Sequence, residues 1–526
     1  MPETPYTWRG GFCLEVSPVP STLVIFGAGG DLAARKLFPA LFQLQRRNLL
    51  HEKSRILSCA RQGFDDESWR ARLREMLLPL ARTFPGGEGS MDSLDSFLRK
   101  NFYLSGDYRE METYEHMAER LELLEQDAGN AGAGRIFYLS TAASVYADIV
   151  ERLHESGLSR EGENLEECCA WRHIVLEKPF GYDLASARRL DARLHRILEE
   201  RQIYRIDHYL GKETVQNILM FRFANLIFES VWNRNCIDSL QITVAETVGV
   251  EHRANYFEGA GLLRDMFQNH MLEMLSLVAM EMPSSFEADA VRDEKLKLLR
   301  SIRPPDLTRL KEMIVRAQYT EGRAGDRILP AYREEPRVNP ESMTETYVAA
   351  KLFIDNWRWH GVPFYLRSGK RMPAKCSEIV IQFKPIPHSI FKPVKASDIT
   401  PNRLILTVQP EEGLSLTIQA KQPGPKLCMG ALNMDFKYSA ILEKGESMPD
   451  AYERLLLDCM LGDQTLFIRS DTIELAWSLL TPILNAWEQN APGCGELFFY
   501  PAASWGPDAA DNLIYRDGGR VWHNIR

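Results

Sequence analysis

The sequence predicts an α/β protein in two parts, a doubly wound parallel sheet followed by a larger α+β domain whose sheet is mostly antiparallel. Three observations carry this. At 526 residues and 60.2 kDa the chain exceeds the roughly 250–300 residues at which a single core stops growing, so at least two domains are expected. Over residues 20–200 short apolar runs alternate with helical patterns, which implies parallel strands covered on both faces. Further on, the runs lengthen and alternate apolar with polar side chains, as antiparallel strands with one solvated face do. The division falls at 15–204 and 205–526.

Taken in order, the first part offers strands at Thr22–Phe26, Arg55–Ala60, Arg135–Leu139 and Trp171–Leu176, with helical patterns between them. The second part offers strands at Ser239–Val248, Glu378–Lys384, Arg403–Val408 and Leu414–Lys421. Helical periodicity fills Leu262–Met280, Ala290–Ala317 and Ala451–Asn485.

Hydrophobic content of 45% and charged content of 26% are ordinary globular values and exclude a disordered or fibrous chain. The net charge of −9, from 63 basic and 72 acidic residues, gives no general attraction to nucleic acid, so an anionic ligand needs a locally basic pocket. Nine cysteines without a Cys-x-x-Cys pair, two of them the adjacent Cys168 and Cys169, suit a reduced chain and no metal knuckle. Met1-Pro2-Glu3-Thr4-Pro5 starts no basic-then-apolar leader, and no run of about 18 apolar residues occurs. A cytoplasmic protein with no membrane partner and no metal is expected.

Phe26-Gly27-Ala28-Gly29-Gly30-Asp31-Leu32 follows a predicted strand and opens a helix, where a dinucleotide pyrophosphate meets backbone N–H groups. Leu32 stands where the strict Gly-x-Gly-x-x-Gly pattern has glycine, so the motif is a variant, and a tight strand-to-helix turn explains it equally well. No Walker A pattern is present. The second strand ends Ala60-Arg61-Gln62. Arg61 offers donors to a 2′-phosphate with no carboxylate beside it, which favours NADP, while neutral Gln62 leaves room for weaker use of NAD.

The densest group of titratable side chains is Arg205-Ile206-Asp207-His208-Tyr209-Leu210-Gly211-Lys212-Glu213. If it is helical, His208 and Lys212 share a face and present two cations to one phosphate, with Asp207 pointing elsewhere; a solvated helix face is the competing account. Glu177-Lys178-Pro179-Phe180-Gly181 puts a lysine at the carboxyl end of a parallel strand, where open α/β folds bind ligands. Arg264-Asp265-Met266-Phe267-Gln268-Asn269-His270 lies early in a helical segment, and a basic turn carries Lys370, Arg371 and Lys375.

In this order the motifs resemble the glucose-6-phosphate dehydrogenase family over roughly residues 20 to 507, with Ser504-Trp505-Gly506-Pro507 similar to a bacterial C-terminal pattern. The resemblance implies a Rossmann-like coenzyme domain and oxidation of β-D-glucose 6-phosphate at C1, with hydride passing to NADP. It implies His270 as the base and Asp207 as its carboxylate partner. Helical geometry alone leaves Glu273 as a competitor, three positions from His270, and puts Asp265 about 140° off its face.

By the same resemblance Gly27, Ala28, Gly29, Gly30, Asp31, Leu32, Arg61 and Lys178 serve the coenzyme. His208, Tyr209, Lys212, Lys370 and Lys375 hold the sugar phosphate, Glu246 and Asp265 accept from sugar hydroxyls, and Lys178 stands between coenzyme and sugar. A homodimer or homotetramer is expected. Three departures from the family pattern occur: Gly29, often alanine or a hydroxyl residue; Ala142-Ala143, usually prolines; and Thr407 before Val408-Gln409-Pro410, where animal members use a basic residue for a structural nucleotide. Two other readings compete, an oxidoreductase for a non-phosphorylated sugar and a non-catalytic sugar-phosphate sensor. The cation set argues against the first and the retained His270 against the second.

Overall fold

A computed structural model describes residues 18–83, 88–161, 170–391, 394–425, 428–442 and 448–525. The stretch Met1–Pro5, residues 15–17 and the Cys168–Cys169 pair lie outside the described residues.

The first sheet contains β1 (Ser21–Phe26), β2 (Arg55–Ala60), β3 (Asn101–Ser105), β4 (Gly134–Leu139), β5 (Arg172–Leu176) and β6 (Ile203–Arg205). Its order is β3-β2-β1-β4-β5-β6, all parallel. β1, β4 and β5 are buried along their whole length, which is why each contains a short apolar run. The order reverses between β1 and β4, opening a crevice at their carboxyl ends, the usual place for a ligand in such a sheet. β3 and β6 were not expected: β3 is half-exposed and β6 has three residues, too little apolar sequence to register.

The second sheet is larger. In chain order its strands are β7 (Ile237–Ala245), β8 (Ile314–Thr320), β11 (Tyr347–Phe353), β12 (Pro363–Gly369), β13 (Cys376–Phe383), β14 (Arg403–Gln409), β15 (Gly413–Lys421), β16 (Met429–Lys437) and β17 (Leu497–Pro501). A small ribbon, β9 (Gly322–Ala324) with β10 (Arg327–Leu329), stands apart. The sheet order is β16-β15-β14-β13-β7-β12-β11-β8-β17, antiparallel except at β7–β12 and β8–β17.

Two helical expectations are corrected. The pattern Ala290–Ala317 is α-helical only over Ala288–Arg300, makes a short 3-10 helix at Leu307–Glu312 and ends in β8. Pro304 and Pro305 supply no N–H to continue a helix, and Ile314-Val315 are β-branched residues that favour a strand. The pattern Ala451–Asn485 is two helices, Ala451–Leu461 and Ser470–Glu488, broken where Gly462 adopts φ 79°.

Residues 520–524 run across one face of the second sheet. Arg520 forms a bidentate pair with Asp238, and Gln241 bonds the backbone at Val521 and His523. The guanidinium of Arg367, wholly buried on β12, stacks between Trp505 and Trp522 and donates to the His523 carbonyl and to Asn524.

Candidate active site

The carboxyl ends of β5, β6, β7 and β12 deliver Lys178, Asp207, Glu246 and Lys370 toward the segment that holds Asp265 and His270. Asp207 follows β6 in a turn and not in a helix, which corrects the helical face drawn through His208 and Lys212: the helix begins only at Glu213. The turn is built by Asp207 itself. Its Oδ1 accepts from the Tyr209 N–H at 2.9 Å and its carbonyl from Leu210, a local arrangement in which an aspartate replaces a backbone partner.

Asp207 Oδ1 also lies 2.5 Å from His270 Nδ1, both residues being 1% exposed. On the other side of the ring, Lys178 Nζ sits 2.9 Å from Nε2. An ammonium can only donate, so these two bonds assign the tautomer: Nδ1 carries the proton and gives it to Asp207, and Nε2 presents its lone pair. Burial lowers the His270 pKa most, Asp207 pulls it up, Lys178 pushes it down, and the balance lies below the ordinary imidazole value. The Asp207 carboxyl is raised by burial, yet His270 and its hydrogen bond outweigh that and hold it well below the carboxylate range. A neutral imidazole, oriented by a carboxylate, is the equipment of a general base.

Lys178 also donates to the Asp265 carbonyl at 3.0 Å and to its carboxylate at 3.3 Å. This proximity corrects the placement of Asp265 off the His270 face. Leu263–Met271 is a π-helix, in which the i→i+5 pattern stacks residues five apart, as 265 and 270 are. Glu273 takes a different partner: it forms a buried ion pair with Lys295.

Around this centre the other residues divide into two groups. The His208 ring meets His270 edge-on at 4.7 Å, and the Tyr209 ring stacks on it at 4.3 Å. Lys212 Nζ lies 4.7 Å over the Tyr209 ring, and its pKa falls to about 8, through burial first, with Lys375 among the cations that lower it. Lys370 has a carboxylate partner of its own. It pairs with Glu246 at 2.6 Å, lies over the Phe257 ring, and helps hold the Asp265 carboxyl down. Ser377, which the sequence did not single out, is 3.2 Å from the Tyr209 hydroxyl; one serine on a buried strand has no pattern to announce it. Asp207, His208 and His270 offer atoms within 4.8 Å of one another, but a cation there would meet the Lys178 ammonium.

At the coenzyme end, Gly27 follows β1 with φ +77°, and a Cβ on it would stand 2.3 Å from the Ser140 carbonyl oxygen. Only glycine fits that crossing. Ala28 is buried, Gly30 closes the turn on the Gly27 carbonyl, and a helix starts at Asp31 and Leu32. The Gln62 carboxamide covers Gly29, and Arg61 beside it is exposed. The backbone turn and the helix N-terminus fit the pyrophosphate of a dinucleotide, with an exposed guanidinium nearby.

Two family models match, described as the NAD binding domain of glucose-6-phosphate dehydrogenase over residues 24–217 and its C-terminal domain over residues 219–523. Glucose-6-phosphate 1-dehydrogenase of Aggregatibacter actinomycetemcomitans is 44% identical over 95% of this chain and 96% of its own. The Treponema pallidum enzyme of the same name is 44% identical over 96% and 95%. A solved glucose-6-phosphate dehydrogenase in complex with its substrate glucose-6-phosphate superposes with a TM-score of 0.86 at 33% identity, covering 97% of this chain and all of that one. A Mycobacterium avium glucose-6-phosphate 1-dehydrogenase gives 0.78 at 35% identity, over 96% and 99%. With both of its parts matched, each along nearly its full length, this chain belongs to the glucose-6-phosphate dehydrogenase family and is an oxidoreductase.

Proposed function

We propose that this chain oxidises β-D-glucose 6-phosphate at C1 to 6-phospho-D-glucono-1,5-lactone with NADP as acceptor, working in the cytoplasm as a homodimer or homotetramer. The observation that carries the reading is the His270 Nε2 lone pair, backed by Asp207 and set among two groups of sugar-binding side chains. His270 removes the proton from the C1 hydroxyl while Asp207 holds its tautomer and stabilises the imidazolium. The coenzyme, when bound, supplies the acceptor carbon for the hydride. Lys178, touching both His270 and Asp265, aligns the hydroxyl between base and coenzyme.

His208, Tyr209, Lys212 and Lys375 form the phosphate subsite, several donors around one dianion. Glu246 and Asp265 accept from sugar hydroxyls, and Lys370, ion-paired with Glu246, belongs to that side. Gly27, Ala28, Gly29, Gly30, Asp31 and Leu32 cradle the pyrophosphate, and Arg61 takes the 2′-phosphate. Self-association has a surface to use, since Leu432 and Met434 of β16 are exposed.

The test follows reduced-coenzyme absorbance with glucose 6-phosphate and glucose, and with NADP and NAD. Activity is expected with the phosphorylated sugar and NADP; no signal with any pair overturns the reading. In the same assay Lys212→Ala is expected to raise KM for glucose 6-phosphate at least tenfold and leave glucose unaffected, about the worth of one charge-assisted bond. Lys370→Ala should impair both sugars, and equal behaviour of the two variants refutes the division of the cations.

A further inference from the structure

Glu177 stands immediately before Lys178, and nothing in the reaction as described uses its side chain. The residue is half-buried where β5 ends. Tyr138, fully buried on the adjacent strand β4, donates to its Oε1 at 2.5 Å. Tyr452, in the first turn of the helix Ala451–Leu461, donates to it as well, and Tyr146 holds the Glu177 backbone carbonyl at 2.9 Å. The Tyr452 helix is fixed in turn. Its N-cap Asp450 pairs with Lys36, and the Ala451 carbonyl packs so closely on Gly211 that a Cβ there would be 2.5 Å away. One carboxyl thus ties the strand end bearing Lys178 to the turn bearing Asp207. Two tyrosines and a carboxylate are a costly way to fill a core, because each buried polar atom must be matched.

Among the charged groups that act on Glu177 are Lys178 and Asp207, the two residues hydrogen-bonded to the His270 ring. Asp207 Oδ2 is buried and finds no hydrogen-bond donor among the described residues. A negative charge on Glu177 therefore makes Asp207 a stronger acceptor and favours a positive ring beside it.

We propose that Glu177 is a positioning residue for proton abstraction, held beside Lys178 by Tyr138 and Tyr452, whose negative charge favours the imidazolium formed as His270 takes the substrate proton. The inference rests on His270 and Asp207 acting as proposed above. Burial pushes the Glu177 carboxyl up to about 7, against the bonds from the two tyrosines and the nearby Lys178, with Asp207 adding to the rise. Glu177 is then neutral below that pH and charged above it, and its help to His270 is gained as pH rises through neutrality.

Glu177→Gln keeps the shape and an acceptor for the tyrosines but not the charge. The experiment measures kcat/KM for glucose 6-phosphate from pH 6 to pH 8.5, as a ratio of wild type to variant, which cancels the titration of the sugar phosphate. The ratio is expected to grow from within about twofold at pH 6 to at least about fivefold at pH 8, carried by kcat with KM little changed. A ratio constant across pH shows a structural role only and overturns the proposal. Tyr452→Phe, which removes a donor to the carboxylate, should move the wild-type rise to higher pH, and an unmoved profile there overturns it too, even where Glu177→Gln does not fold. His270→Asn with undiminished turnover would instead defeat the reading of the base, leaving the Glu177 profile to be judged apart.

Discussion

Replacing Asp207 by asparagine leaves a partner of the same shape that can no longer accept the Nδ1 proton as an anion. Such a change in a histidine–carboxylate pair removes both the correct tautomer and the support for the imidazolium. Turnover of Asp207→Asn is expected to fall by about 10²–10⁴, with the melting temperature altered far less. Glu273→Gln should behave in the opposite manner. Its partner Lys295 is 2% exposed, and stranding a buried ammonium costs on the order of 3–5 kcal/mol. The expected outcome is a marked loss of stability in denaturant titration, with near-normal turnover in the molecules that stay folded. Equal turnover losses in the two variants would sink the assignment of Asp207.

Among elements, the helix Ala451–Leu461 has a titratable weakness. Asp458 near its end is 1% exposed, and burial pushes its carboxyl up to about 7, only partly offset by Arg454 at 2.9 Å. A carboxyl raised above its ordinary value holds its proton more tightly in the folded chain than in the unfolded one. Its contribution therefore favours folding in acid and fades as pH rises from about 4 through about 7. Asp458→Asn is expected to raise the melting temperature at pH 8 and to change it little at pH 5. A larger gain at pH 5 contradicts the buried charge.

The elements also differ in how openly the sequence declares them. β1, β2, β4 and β5 are legible because strands buried on both faces carry a short apolar run, and β14 because its burial alternates residue by residue. The π-helix Leu263–Met271 is illegible, since its apolar spacing passes for an ordinary helix. Its consequence, Asp265 on the same side as His270, emerges only from coordinates. The candidate site shows the same limit. Asp207, His208 and Lys212 stand out as one dense run of titratable side chains, and with His270 they acquire their roles only through the resemblance of linear motifs. Ser377, Tyr138 and Tyr452 lie 168, 39 and 275 positions from the groups they touch and share no motif with them.

At the scale of the whole molecule, the stretch from Arg520 onward acts as a clasp. It bonds β7 through Asp238 and Gln241, β12 through Arg367, and β13 through the pair His523–Glu378 at 2.8 Å. These three strands, at or just beyond their ends, also present Glu246, Lys370 and Ser377. Removing residues from 520 on would take two acceptors, the His523 carbonyl and Asn524, from the Arg367 guanidinium and leave it Thr243, at a cost of about 1–3 kcal/mol for each orphaned group. The truncated protein is expected to unfold at lower denaturant and to bind the sugar phosphate more weakly; unchanged stability would mean the clasp is idle.

The bond between Lys178 and His270 joins more than two side chains. Lys178 leaves the first sheet, while His270 and Asp265 belong to the segment packed on the second, so a single ammonium spans the seam between the two halves of the protein. Protonating His270 would set two cations 2.9 Å apart across that seam, and their repulsion in a buried setting is strong. Acid that silences the base thereby loosens one tie across the joint, while the Tyr452–Glu177 and Lys36–Asp450 bonds keep the halves together.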